Sequence, residues 1–219
     1  MAGATESAGE GAAVPETAKQ APSTRTHDWD WVDRTIWTER MLAALDNGVQ
    51  GGKWFSLIDK VYRPATLAAA WEQVRANRGA AGLDGQSVER FAAQAERYLG
   101  ELAEELRTER YRAAPVRRVE IAKADGKTRP LGIPTVKDRI VQAAVKRVIE
   151  PIFEREFLPT SYGFRPGRGC KDALREVDRL LRAGFTHVVD ADLKSYFDSI
   201  PRERLQARLE EHLSDGRLL

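Results

Sequence analysis

The hydrophobic period of this chain switches near residue 116 and switches back near residue 138, and few fold classes accommodate both changes. Upstream, Leu67, Ala70, Trp71 and Val74 recur at helical spacing behind Thr66, a side chain suited to capping a helix. Ser87 opens a longer predicted helix with Phe91, Ala95, Tyr98, Leu99, Leu102 and Leu106 on one face. Then Val116-Arg117-Arg118-Val119-Glu120-Ile121 reads as a strand, Asp125-Gly126 as a hairpin turn, and residues 128–133 as the returning strand. Helical spacing resumes from about Asp138, with Ile140, Val141, Ala144, Val145 and Val148 apolar and Pro151 near the end. Residues 170–182 predict another helix with Ala173, Leu174, Val177, Leu180 and Leu181 inward. Residues 185–190 predict a strand and residues 202–213 a last helix. No internal repeat and no regular strand–helix–strand alternation is present, so the predicted class is α+β.

Residues 1–26 are rich in Ala, Gly, Glu, Pro, Ser and Thr and are expected to form a disordered tail, because they offer too little apolar surface to offset ordering entropy. No apolar run of about 18 residues predicts a membrane span. The single cysteine, Cys170, excludes an internal disulfide framework and a cysteine-based zinc site, which fits a reducing, cytoplasmic setting. The net charge is +2, but it is unevenly placed. Residues 107–182 hold 19 Lys and Arg against 10 Asp and Glu, and the remainder holds 16 against 23. Such a segment is either a solvated basic face or a surface for a phosphate backbone.

Four stretches carry chemistry. In Val188-Val189-Asp190-Ala191-Asp192-Leu193-Lys194-Ser195-Tyr196-Phe197-Asp198, an apolar run delivers carboxylates that can hold Mg²⁺ or simply form a turn. Lys123, Lys127 and Arg129 flank the predicted hairpin turn; they suit a triphosphate, or protect an exposed sheet edge. In Ser161-Tyr162-Gly163-Phe164-Arg165-Pro166-Gly167-Arg168-Gly169, Tyr162 and Phe164 can stack on bases or pack, and Arg165 and Arg168 can hold phosphates or sugar hydroxyls. The glycine-rich Gly79-Ala80-Ala81-Gly82-Leu83-Asp84-Gly85 lacks the Lys-Ser/Thr of a nucleotide-binding P-loop, leaving a structural turn or a backbone contact to nucleic acid. Trp29, Trp31 and Trp37 are either core residues or base-stacking platforms, with the core reading favoured.

Together and in this order, the pieces resemble the group II intron-encoded reverse transcriptases. Arg129-Pro130-Leu131-Gly132-Ile133-Pro134-Thr135-Val136-Lys137-Asp138-Arg139-Ile140-Val141-Gln142 is similar to the fingers signature of that family, the 161–170 loop to its next block, and Asp190-Ala191-Asp192-Leu193-Lys194-Ser195-Tyr196-Phe197-Asp198 to its first palm motif. Asn77-Arg78-Gly79-Ala80-Ala81-Gly82-Leu83-Asp84-Gly85 resembles the N-terminal extension. The resemblance covers roughly residues 55–219. It implies a helical N-terminal extension over residues 27–106, fingers over 107–184 and the start of a right-hand polymerase palm, with an incomplete sheet, over 185–219.

The resemblance also implies roles. Asp192 is the first catalytic, metal-binding aspartate and the Leu193 carbonyl a second oxygen ligand for Mg²⁺. Lys123 and Arg129 meet the incoming dNTP, and Phe197 crowds the sugar 2′ position. Arg165, Arg168, Tyr162 and Phe164 meet nucleic acid. The implied partners are an RNA template, intron RNA and a DNA primer. The family's second palm motif, Tyr-x-Asp-Asp, supplies the remaining metal carboxylates, and this sequence contains no Asp-Asp pair. Two metal ions roughly 3.5–4 Å apart need bridging carboxylates that one aspartate cannot provide. The expectation is therefore part of an RNA-directed DNA polymerase, with its palm continued in a missing C-terminal portion and inactive by itself. The alternative is a non-catalytic, maturase-like module that binds intron RNA. A plain helical scaffold with a basic face leaves the ordered motifs unexplained.

Overall fold

The computed structural model describes residues 29–49, 51–122 and 126–219. The tail expected over residues 1–26 lies outside them. The first helix, α1 (Glu39–Asn47), starts where the Thr38 hydroxyl accepts from the Met41 N–H at 3.4 Å, and it ends at Gly48, whose φ of 89° needs a residue without a side chain. After the short α2 (Ile58–Val61), α3 (Pro64–Asn77) begins two residues before the expected Thr66. Proline at the first helical position has its φ already set, so Pro64 defines the start. Thr66 is instead buried in the first turn, and its hydroxyl has no hydrogen-bond partner among the described residues.

The long helix expected after Ser87 is two helices, α4 (Val88–Ala92) and α5 (Ala95–Arg107), broken at Ala93-Gln94. Ser87 does cap the first, its hydroxyl accepting from the Arg90 N–H at 3.2 Å. The break lets Phe91 lie between Trp71 and Tyr98, with ring centroids 4.7 and 5.0 Å away. The predicted hairpin is present as β1 (Arg117–Ala122) and β2 (Thr128–Ile133), antiparallel, with Arg117 opposite Ile133 and Ala122 opposite Thr128. Pro130 is tolerated because each strand of a two-stranded sheet has a free edge. Next comes α6 (Val136–Glu154), with Pro151 in its last turn.

The core forms where α6 packs against α2 and α3. Trp29, Trp37, Trp54 and Trp71 are buried in it with Leu42, Leu57, Leu67, Ile140, Val148 and Ile152. Each such side chain contributes about 1.5–3 kcal/mol of transfer free energy. Of the three tryptophans in question, Trp29 and Trp37 are core residues and Trp31 is half-buried against them, and two indole nitrogens find partners: Trp29 donates to Asp46 at 3.1 Å and Trp37 to the Arg147 carbonyl, on α6, at 3.3 Å.

Residues 155–212 form a limb outside this core. It contains α7 (Cys170–Arg182), α8 (Tyr196–Ser199) and α9 (Arg202–Glu210), none of which has a buried residue. Two expectations are corrected here. Residues 185–190 have no regular secondary structure and form no strand: a strand needs a neighbour for its backbone groups, and the one described sheet pairs β1 only with β2. The α7 face expected to point inward is unpartnered, with Leu174, Val177 and Leu181 exposed and Ala173 and Leu180 half-buried. That helix is held locally by the pairs Arg175–Asp172, Arg179–Glu176 and Arg182–Asp178, and by Asp172 accepting from the Gly169 N–H at 3.0 Å. The fold is α+β. No helix among the described residues is long and apolar enough to cross a membrane.

Candidate nucleic-acid interface

The hairpin places Arg129 opposite Ile121, on the face that also carries Val119 and Leu131. Arg129 is exposed and makes no ion pair among the described residues. Lys123 and Asp125 lie outside the described residues, so the turn is represented by Gly126, whose φ is 78°.

Beneath the hairpin, the start of α6 is tightly fixed. Thr135 and Asp138 cap each other: the Asp138 N–H donates to the Thr135 hydroxyl at 3.1 Å, and that hydroxyl donates to Asp138 Oδ2 at 2.7 Å. The same buried carboxylate accepts from the Tyr111 hydroxyl at 2.6 Å and from the Ala114 N–H at 3.3 Å, tying the approach to β1 onto α6. Burial, reinforced by Asp138, pushes the Tyr111 phenol well above its ordinary pKa. One residue on, the Arg139 guanidinium donates to the Arg78 carbonyl at 3.2 Å and the Ala80 carbonyl at 2.9 Å. Burial lowers its pKa, and Asp84 opposes that shift. Gly82 packs so closely that a Cβ there would lie 2.6 Å from Thr135 Cα. The glycine-rich loop is thus packed as a turn that joins the N-terminal helices to the start of α6. Asp138, Tyr111 and Arg139 were not singled out from sequence. The Thr-x-x-Asp spacing of Thr135 and Asp138 was the available signal.

The 161–169 loop is built around its arginines. Arg165 donates to Glu154 through Nε at 2.9 Å and Nη2 at 2.6 Å, and to the Leu158 and Ser161 carbonyls at 2.7 and 2.9 Å. Both partners of that ion pair are nearly buried, with side-chain exposures of 7% and 10%. Arg165, expected at the nucleic acid, is here committed to the loop itself. Arg168 donates to the Pro159 carbonyl and sits 5.8 Å from the centroid of the Tyr162 ring, which is half-buried. Phe164 is 97% exposed and holds a φ of 57°, a left-handed backbone that a bulky residue adopts only when its surroundings impose it. The loop therefore brings Arg165, Arg168 and Tyr162 together around the 158–161 carbonyls and projects Phe164 into solvent.

The 190–198 segment is open. Asp190, Asp192 and Leu193 are exposed, and Asp192 makes no hydrogen bond or ion pair among the described residues. Ser195 takes a left-handed φ of 51° ahead of α8, where Phe197 is exposed and its ring lies 5.4 Å from that of Tyr196. No hydrogen bond, ion pair or ring contact among the described residues joins Asp192 or Phe197 to Arg129. Magnesium demands near-octahedral oxygen coordination. No group of three or more His, Cys, Asp or Glu among the described residues is placed to hold a metal. Asp192 and the Leu193 carbonyl alone do not make such a site, so no catalytic step follows from this geometry.

Residues 121–215 match the family described as reverse transcriptase (RNA-dependent DNA polymerase). The chain is 38% identical over 169 residues to Protein YkfC of Escherichia coli K12, covering 74% of this chain and 44% of that protein. It is 33% identical over 159 residues to the group II intron-encoded protein LtrA of Lactococcus lactis subsp. cremoris, covering 71% of this chain and 26% of that protein. It is 29% identical over 86 residues to nuclear intron maturase 1, mitochondrial, of Arabidopsis thaliana, covering 39% of this chain and 12% of that protein. The chain spans less than half the length of each of these relatives.

Proposed function

We propose, because this chain belongs to the group II intron reverse transcriptase and maturase family, that its hairpin, 161–169 loop and 190–198 segment serve RNA-templated DNA synthesis. In that reaction a primer 3′-hydroxyl attacks the α-phosphorus of a dNTP and pyrophosphate leaves. Arg129 and Lys123, on opposite sides of the turn in sequence, meet the triphosphate. Phe197 flanks the sugar, and Phe164, Tyr162 and Arg168 hold the RNA strand, with Arg165 fixing the loop beneath them. Asp192 and the Leu193 carbonyl are oxygen donors toward Mg²⁺, whose charge would stabilise the developing negative charge on the phosphates once further carboxylates complete the site.

The observation that supports this reading is the exposure of Arg129, Phe164, Asp192 and Phe197, all within the 121–215 match. Core residues are enclosed; these side chains are presented. A second reading applies to these 219 residues by themselves. They bind intron or template RNA without polymerising, because the sequence has no Asp-Asp pair and the described residues form no carboxylate cluster.

RNA binding tests both readings. Fluorescence anisotropy with a labelled single-stranded RNA at rising KCl is expected to give affinity that falls linearly on a log–log plot, as counterion release requires. Absence of binding at low salt would overturn the nucleic-acid assignment.

A further inference from the structure

Residues 155–212 add no buried residue to the hydrophobic core, yet they carry Asp192. What places that aspartate is therefore the anchoring of the limb at its two ends. The first end is rooted at α6, where Glu154 binds Arg165 and Arg155 donates to the Leu45 carbonyl of α1. The second end returns to the same region. Leu213 is buried and bridges Trp54, with the Trp54 N–H donating to the His212 carbonyl and the Ser214 N–H to the Trp54 carbonyl, both at 2.8 Å.

The key to the second anchor is Asp215. Its carboxylate is buried, and Oδ2 accepts from the Leu57 N–H at 2.6 Å and the Ile58 N–H at 2.8 Å. No side chain of its own neighbourhood caps α2; Asp215 caps it from 157 residues away along the chain. The other oxygen accepts from the Arg217 N–H at 3.1 Å, holding the turn that follows. Arg217 then donates to the Leu106 and Arg107 carbonyls at the end of α5, at 3.1 and 2.9 Å. A buried carboxylate with three N–H donors satisfies orphan helix donors and cannot leave without stranding them. The residues matched to the reverse transcriptase family end at Asp215, whereas Leu57 and Ile58 precede the match. The contact thus ties the polymerase-like segment to helices outside it.

We infer that Asp215 is a positioning residue: by capping α2 it pins the far end of the limb and sets where Asp192 stands relative to the core. Its relevance to nucleotidyl transfer rests on the function proposed above; the tether itself does not.

The test is a distance measurement on the whole chain by double electron–electron resonance. One spin label goes on an introduced Gln206→Cys on α9 and the other on Glu96→Cys on α5, both exposed, in a Cys170→Ser background. The expected result is one narrow distance peak with Asp215, loss of that peak in Asp215→Ala, and its retention in Asp215→Asn, whose amide oxygen can still accept from the Leu57 and Ile58 N–H groups that cap α2. An unchanged narrow peak in Asp215→Ala, with the α-helical circular dichroism intact, overturns the inference. If Asp215→Ala fails to fold, Asp215→Leu, similar in size but unable to accept a hydrogen bond, is read the same way: a broadened peak supports the tether and an unchanged one contradicts it. Failure of RNA binding with the peak behaviour intact removes the proposed function and leaves the tether standing.

Discussion

Arg165 and Glu154 form a nearly enclosed ion pair, with Nη2 2.6 Å from Oε1, that fixes the loop projecting Phe164 to the end of α6. Removing one partner strands a buried charge. Arg165→Ala is expected to lose about 3–5 kcal/mol of unfolding free energy, read from the urea midpoint. Arg165→Lys keeps the charge but not the planar fork, so it should recover only part of that loss.

Phe164 and Arg129 should separate in RNA titrations. Phe164→Ala is expected to lower affinity by about 1–3 kcal/mol while leaving the salt slope unchanged, because stacking releases no counterions. Arg129→Ala should reduce the slope by about one, and Arg97→Ala, far from these motifs in sequence, should not.

Gly82 presses against Thr135. Gly82→Ala places a methyl 2.6 Å from backbone, and is expected to cost on the order of 3 kcal/mol or prevent folding. The control is Gly100→Ala within α5, where nothing lies within 4 Å of the new Cβ; it should stabilise by roughly 0.5–1 kcal/mol. Thermal unfolding of the pair distinguishes a packing requirement from a general intolerance of alanine.

Tyr111 predicts a dependence on alkaline pH. Its pKa is raised in the folded state, so the folded chain binds its proton more tightly than the unfolded chain does. The stabilisation is present in full below the unfolded value, about 10, and is lost as pH climbs above it toward the raised folded value. Urea midpoints should therefore fall above pH 10 more steeply for the native chain than for Tyr111→Phe. The phenylalanine variant should itself be less stable at neutral pH by roughly 1–2 kcal/mol, since Asp138 loses a donor.

Local signals were legible in the sequence. The helical face of Leu67, Ala70, Trp71 and Val74, the Ser87 cap, the hairpin and the bounds of α7 all follow from spacing and turn chemistry. Partnership was not legible. Residues 185–190 have strand composition but no strand beside them, and α7 has an apolar face with no described element to cover it. Asp215 and Arg139 act on backbone groups 157 and about 60 residues away, and no spacing rule reaches that far. At the candidate site, the sequence identified exposed side chains such as Phe164 and Asp192. It did not reveal that Arg165 is held inside its own loop.

Primer extension decides whether these residues polymerise by themselves. The purified 219-residue chain is incubated with an RNA template, an annealed DNA primer, dNTPs and Mg²⁺. The proposed role of Asp192, as one carboxylate of a site that needs others, predicts that the template–primer is bound and the primer is not lengthened. Primer extension that disappears in Asp192→Asn would contradict it.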